Sequence, residues 1–108
     1  MEDKNDKGTE NSTTTENQVV FCNCVLGARH EGAQLPRETY ADSLLPNSPP
    51  GVGGVVILRY PHASHVAVIL SFEETGIWIV EWNYIPCQKT ERLLPWNDPH
   101  IVGFFRTK

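Results

Sequence analysis

Three runs of β-branched and aromatic residues constrain the fold of this chain more than any other feature. They occupy residues 55–60, 65–72 and 77–84, and a shorter run follows at 101–105. Runs of this length and type are typical of β-strands. Because residues 73–76 form a short polar link between the second and third runs, those two predict a hairpin. The sequence therefore predicts an antiparallel meander followed by a last strand.

The first 18 residues have a different composition from the rest of the chain. Met1 is their only apolar residue, and their five acidic and two basic residues supply most of the formal charge of −4. Such a segment buries too little apolar surface to offset the entropy lost on ordering. We therefore predict a disordered polar tail at 1–18 and one folded domain at 19–108. The acidic balance argues against nucleic acid as a partner, and the short apolar stretches argue against membrane insertion.

A short helix is predicted ahead of the strands, at residues 24–31. Asn23 is a favoured N-cap residue, Gly32 suits the position after the helix, and Pro36 prevents continuation. Residues 37–54 are rich in turn-forming residues and are predicted to be mainly loop. A helix followed by an antiparallel meander is an α+β pattern.

The predicted hairpin decides which polar side chains share a face of the sheet. Alternation puts His65 and Ala67 on one face of their strand, and Glu81 and Asn83 on one face of the next. A three-residue loop at 74–76 would place Asn83 opposite Ala67 and Glu81 opposite Ile69, which brings both polar residues near His65. A two- or four-residue loop would turn them to the other face. An alternative for Glu81 is an edge strand with its carboxylate in solvent.

The three cysteines have different predicted environments. Cys24 opens the predicted helix, where unpaired N–H groups favour a thiolate, and a thiolate with an imidazole forms a nucleophilic pair. Cys22 is predicted to be a small buried hydrophobe and Cys87 to be structural, with a disulfide between them left open. A zinc site made by all three cysteines and either His62 or His65 is an alternative, although its Cys-x-Cys spacing is unusual for structural zinc.

Several segments, taken in order, resemble the CHAP family of cysteine, histidine-dependent amidohydrolases/peptidases, which belongs with the NlpC-type cell-wall hydrolases. The matching segments are Asn-Cys-Val at 23–25, Gly-Gly-Val-Val-Ile at 53–57, His-Val-Ala-Val-Ile at 65–69, Glu-Trp-Asn-Tyr at 81–84 and Ile-Val-Gly-Phe at 101–104. The resemblance implies an α+β, papain-like fold, in which an N-terminal helix carrying the cysteine packs on an antiparallel sheet or half-barrel.

The same resemblance implies a catalytic mechanism. Cys24 would attack the carbonyl as a thiolate, and His65 would hold it as an ion pair and then protonate the leaving amine. Either Glu81 or Asn83 would fix the imidazole tautomer, and the other would help to position the substrate. The backbone N–H of Cys24 is the expected oxyanion donor, and no cofactor is needed.

Two aromatic residues, Trp82 and Tyr84, are candidates for the substrate groove, with packing in the core as the alternative. The implied function is a peptidoglycan hydrolase, an N-acetylmuramoyl-L-alanine amidase or an endopeptidase, acting as a monomer on a stem peptide or cross-bridge. Because no signal peptide is recognised, a phage-type lysin released by a holin, carried on a virion or exported within a larger chain is expected. The alternatives are a cysteine peptidase or deamidase acting on proteins, and an inactive relative that binds the wall or has a structural role.

Overall fold

The structure, a computed structural model that describes residues 20–36 and 39–106, is built on a single sheet of five antiparallel strands. One helix, α1 (Cys24–His30), precedes β1 (Val55–Tyr60), β2 (Ala63–Phe72), β3 (Gly76–Trp82), β4 (Lys89–Pro95) and β5 (Ile101–Phe105). The spatial order is β4-β3-β2-β1-β5. The predicted tail at 1–18 lies outside the described residues. Within the part that is described, no helix is long and apolar enough to cross a membrane.

The predicted α+β, papain-like fold is wrong. Strands account for 42% of the structure and helix for 8%, so the described residues form a small, compact β domain with a single short helix. Two features of the sequence explain the difference. Four prolines at 36, 46, 49 and 50 interrupt the segment between α1 and β1, and proline opposes helix formation. Residues 89–95, for which no element was predicted, form a further strand.

The individual elements follow the local sequence closely. β1 and β5 have the predicted bounds, and α1 begins at Cys24 as predicted. Asn23 caps α1, and Gly32 follows it with a φ of 106°, a left-handed conformation that glycine adopts without strain. Each of these predictions is confirmed because the local signals agree with one another.

The sheet contributes to two separate clusters of buried side chains. Alternate residues of each strand point to opposite faces, and α1 packs on one of these faces through Val25 and Ala28. The second cluster comes from strands alone. Its members are Val56, Leu58, Ala67, Ile69, Ile77, Ile79 and Leu94.

The hairpin between β2 and β3 differs from the prediction, and two irregularities compensate for one another. Glu73 and Gly76 exchange backbone hydrogen bonds, so the turn has two central residues rather than three. By itself that turn would put Glu81 on the face away from His65. A bulge between Ile69 and Ser71 shifts the register by one further residue, and this extra residue reverses the alternation. Glu81 therefore returns to the face of His65.

Candidate active site

α1 presents Cys24 at its first turn because the helix is fixed at both ends. The Oδ1 atom of Asn23 accepts hydrogen bonds from the amides of Val25 (2.9 Å) and Leu26 (3.1 Å), which leaves the amide of Cys24 outside the cap. At the other end, Oε2 of Glu31 accepts from Trp82 Nε1 at 3.0 Å. Cys24 is partly exposed and is the only one of the three cysteines that is not in a disulfide.

His65 lies between Cys24 and Glu81 and contacts both. Its Nε2 atom is 2.9 Å from Oε1 of Glu81. Cys24 and His65 line the same cavity, and their side-chain interaction contributes to the pKa shifts of both groups. His65 is only 5% exposed and Glu81 only 1%. The three side chains therefore form a continuous chain from a partly exposed thiol to a buried carboxylate.

Glu81 is stabilised in the interior by groups on β4. Arg92 donates from Nε to Oε2 at 2.6 Å and from a terminal nitrogen to Oε1 at 3.3 Å, and Thr90 donates to Oε2 at 3.4 Å. A buried carboxylate is costly unless it is paired and hydrogen-bonded, and these donors meet that requirement. The alternative of a solvent-exposed Glu81 on an edge strand is wrong, because β4 pairs with β3 and the Glu81 side chain is buried.

Burial and the interactions among Cys24, His65, Glu81 and their neighbours shift the pKa values of these three groups. Burial tends to raise the pKa of Cys24, but hydrogen bonds from His65 and from the Val66 amide outweigh it and lower that pKa. Burial tends to lower the pKa of His65, but its bonds to Cys24 and Glu81 raise that pKa. For Glu81 the bonds from His65 and Arg92 overcome burial and lower the pKa. Each shift favours a thiolate beside an imidazolium.

Asn83 lies beside the site but engages different atoms. It has a φ of 67°, its Oδ1 accepts from the amide of Cys87 at 2.7 Å, and its Nδ2 donates to the carbonyl of Cys22 at 3.2 Å. Of the two candidates for orienting His65, Glu81 is the one within hydrogen-bonding distance. Asn83 instead joins the start of α1 to the loop after β3.

A disulfide between Cys22 and Cys87 makes the same connection covalently. The prediction that Cys22 is a buried hydrophobe is wrong, because this residue is exposed and bonded to Cys87. The pairing also takes up two sulfurs of the alternative zinc site. No group of three or more potential metal-ligating side chains occurs in the ranges that the structure covers.

Two cavities open beside Cys24. One, of about 350 Å³, is lined by Cys24, Tyr60, Ala63, Ser64, His65, Asn83 and Tyr84. The other, of about 250 Å³, is lined by Cys22, Asn23, Cys24, Ala41, Asp42, Ser64 and Asn83. Cys24, Ser64 and Asn83 line both cavities, so the two adjoin at Cys24, and together they are called the cleft.

The two aromatic candidates for the groove occupy different places. Tyr84 is exposed in the cleft, with its ring centroid 5.9 Å from that of His65 and the guanidinium of Arg92 4.2 Å away. Trp82 is 6% exposed and packs edge-on against Phe21 under α1. The structure thus brings Tyr84 to the thiol and places Trp82 on the helix-covered face.

Sequence reasoning missed three residues around Glu81: Thr90, Arg92 as its ion-pair partner, and Tyr60, whose hydroxyl accepts from Arg92 at 3.4 Å. A signal for β4 was present. Thr90, Arg92 and Leu94 alternate with more exposed residues, as on a strand with one face covered. The proline and charged residues in this segment obscured the alternation.

The arrangement contains the parts of a nucleophilic site: a thiol with a lowered pKa, a base in the same cavity, and a carboxylate that orients the base. Comparison of the chain with models of protein families, with curated proteins and with solved structures found no match.

Proposed function

We propose that this chain is a cysteine hydrolase that cleaves amide bonds, with Cys24 as the nucleophile. The observation that carries the proposal is the position of His65, which lines the same cavity as the Cys24 thiol and lies 2.9 Å from the Glu81 carboxylate. A surface cysteine without such partners remains mostly protonated at neutral pH. Here the imidazole and the buried carboxylate both favour the reactive thiolate.

The reaction would proceed in two halves. The Cys24 thiolate attacks the carbonyl carbon, and the oxyanion that forms accepts a hydrogen bond from the Cys24 amide, which the helix cap does not use. His65 then gives its proton to the amide nitrogen as the carbon–nitrogen bond breaks, and an amine leaves. In the second half, His65 removes a proton from water, the hydroxide attacks the thioester, and the carboxylic acid product and the thiolate are released.

Peptidoglycan is the proposed substrate, through an amide bond of a stem peptide or cross-bridge. This choice is supported by the order of the segments around Cys24, His65 and Glu81, which resembles that of CHAP-type wall hydrolases. The overall fold differs from the papain-like fold that the resemblance implies, so this choice rests on the order of the segments and on the site alone. The disulfide between Cys22 and Cys87 also fits work at a cell wall, because disulfides persist in oxidising surroundings.

Clearance of purified peptidoglycan tests the proposal directly. Turbidity would be followed for the wild type, Cys24→Ala and His65→Gln, and the released fragments would be identified by mass. We expect clearance by the wild type and at least a hundredfold loss in both variants, because each removes a reacting group. The matched control is His62→Gln, which removes an exposed imidazole and leaves Cys24 and His65 in place. If the protein cleaves peptides but releases no fragments from any peptidoglycan, its substrates are proteins rather than the cell wall.

The thiolate itself is measured by alkylation. Cys24 is the only free thiol in the chain, so iodoacetamide reports on this residue alone. The lowered pKa predicts that alkylation continues below the pH range of an ordinary thiol, whose pKa is about 8.5. In His65→Gln the rate should fall to that of an ordinary thiol at the same pH. A wild-type profile centred on the ordinary thiol pKa would contradict the proposed pair.

A further inference from the structure

The cleft has two chemically different sides. On the side that includes His65, the rings of Tyr60 and Tyr84 lie 6.2 Å apart between centroids and provide apolar walls. On the other side the lining is mostly polar and includes Asp42. A substrate bound across the thiol would therefore meet aromatic rings in one direction and a negative charge in the other.

The mechanism decides which half of the substrate lies on which side. His65 must deliver its proton to the departing nitrogen, so the amine half lies on the side that His65 lines. The acyl half, which stays bonded to Cys24 after the first step, then extends into the cavity that contains Asp42. This assignment rests on the proposed function and uses only the position of His65 in the cleft.

Asp42 lies on a turn that the rest of the fold holds in place. Arg59 of β1 donates to the carbonyls of Ala41 at 2.9 Å and Leu44 at 3.1 Å, on either side of the turn. Ser43 closes the turn through its hydroxyl, 3.0 Å from the Tyr40 carbonyl. Among the described residues no cation forms an ion pair with the Asp42 carboxylate, and the side chain is exposed. A carboxylate on an anchored turn is suited to bind a charged ligand, because little order is lost on binding.

We propose that Asp42 selects amide substrates whose acyl half carries a cationic group, such as a primary amine, close to the scissile carbonyl. The amine pairs with the carboxylate and directs the carbonyl towards Cys24. Asp42 is thus a specificity-determining residue rather than a catalytic one. Its effect is electrostatic, so the preference weakens as salt concentration rises.

The test compares two forms of one peptidoglycan digest, one with free amino groups and one acetylated to remove their charge. Cleavage of both is followed by mass spectrometry for the wild type, Asp42→Asn and the control Glu74→Gln. Glu74 is an exposed carboxylate in the β2–β3 turn, so the control removes the same charge away from the cleft. The fragment masses show which half of each cleaved bond carried the amine.

We expect the wild type to cleave the free-amine digest faster by about fivefold, the size of a partly screened ion pair. Asp42→Asn should abolish this preference by raising KM for the free-amine digest alone, whereas Glu74→Gln should retain it. Three results would overturn the role of Asp42 and leave the proposed hydrolase activity standing. The wild type could cleave both digests at equal rates, the amines could lie only on the leaving half, or Asp42→Asn could slow cleavage of both digests equally. If the wild type cleaves neither digest, the proposed function fails and the preference fails with it.

Discussion

Replacement of Arg92 by methionine tests how the buried carboxylate of the site is stabilised. In the native protein Glu81 has a fully buried side chain and accepts two hydrogen bonds from Arg92, whose own side chain is 28% exposed. Methionine fills much of the same volume but leaves the carboxylate without its cation. Removal of one partner from a buried ion pair costs about 3–5 kcal/mol. Because Arg92 is partly screened by solvent, we expect the lower end, about 3 kcal/mol.

The variant Arg92→Met should also reverse the contribution of Glu81 to the pH dependence of stability. In the native protein the pKa of Glu81 is below its ordinary value of 4.5. Its contribution is therefore present above that pH and is lost as the pH falls through the folded pKa. In Arg92→Met, burial should dominate and raise the pKa of Glu81 above that of the unfolded chain. Stability should then decrease as the pH rises through this range.

Urea unfolding of the oxidised protein, followed by tryptophan fluorescence at several pH values, measures both effects. About 3 kcal/mol corresponds to a fall in Tm of roughly 15 °C for a domain of this size. The double variant Glu81→Gln and Arg92→Met removes both charges, so it should lose less than the sum of the single losses, with a coupling of about 2 kcal/mol. Additive losses, or a loss below about 1 kcal/mol in Arg92→Met, would refute the ion-pair account.

Three further perturbations concern stability. Cys22 and Cys87 are 65 positions apart in the sequence, so their joint replacement by serine should lower the free energy of unfolding in urea by about 4 kcal/mol. A change within experimental error would show that the crosslink does not restrict the unfolded chain. Gly27→Ala would place a Cβ atom 2.3 Å from the Trp82 side chain, so we expect a loss of about 2 kcal/mol and a red shift in fluorescence as α1 moves; native stability would contradict the close packing. Asn23→Ala should lower the free energy of unfolding by about 1 kcal/mol, and Asn23→Ser should recover most of it; equal stability of the two variants would exclude the capping role.

The β2–β3 hairpin shows where sequence reasoning fails even when its conclusion holds. The alternation of each strand was readable, and His65 and Glu81 do meet on one face. The predicted three-residue loop was wrong, because the turn is shorter by one residue. A bulge at Leu70 compensates for it and places Glu81 on the same face as the longer loop would have done. A bulge adds one residue without a consistent local signature. Nothing in residues 65–72 distinguishes Leu70 from its neighbours.

Long-range partners were the least predictable part of the site. The cap at Asn23 and the strand at 55–60 depend on adjacent residues, so the sequence predicts them directly. The ion pair between Glu81 and Arg92 depends on the register between β3 and β4, which no local pattern determines. The disulfide between Cys22 and Cys87 likewise follows from the folded path of the chain.

The crosslink from Cys22 to Cys87 closes a covalent ring that contains Cys24, His65 and Glu81. Arg92 is outside this ring, on β4, which is an outermost strand of the sheet. Outer strands open more readily than central ones. Detachment of β4 alone would uncover the carboxylate and remove its cation while the thiol and the imidazole remain tethered. The protein can therefore lose the charge balance of its site in a partial opening that leaves the ring, and most of the fold, intact.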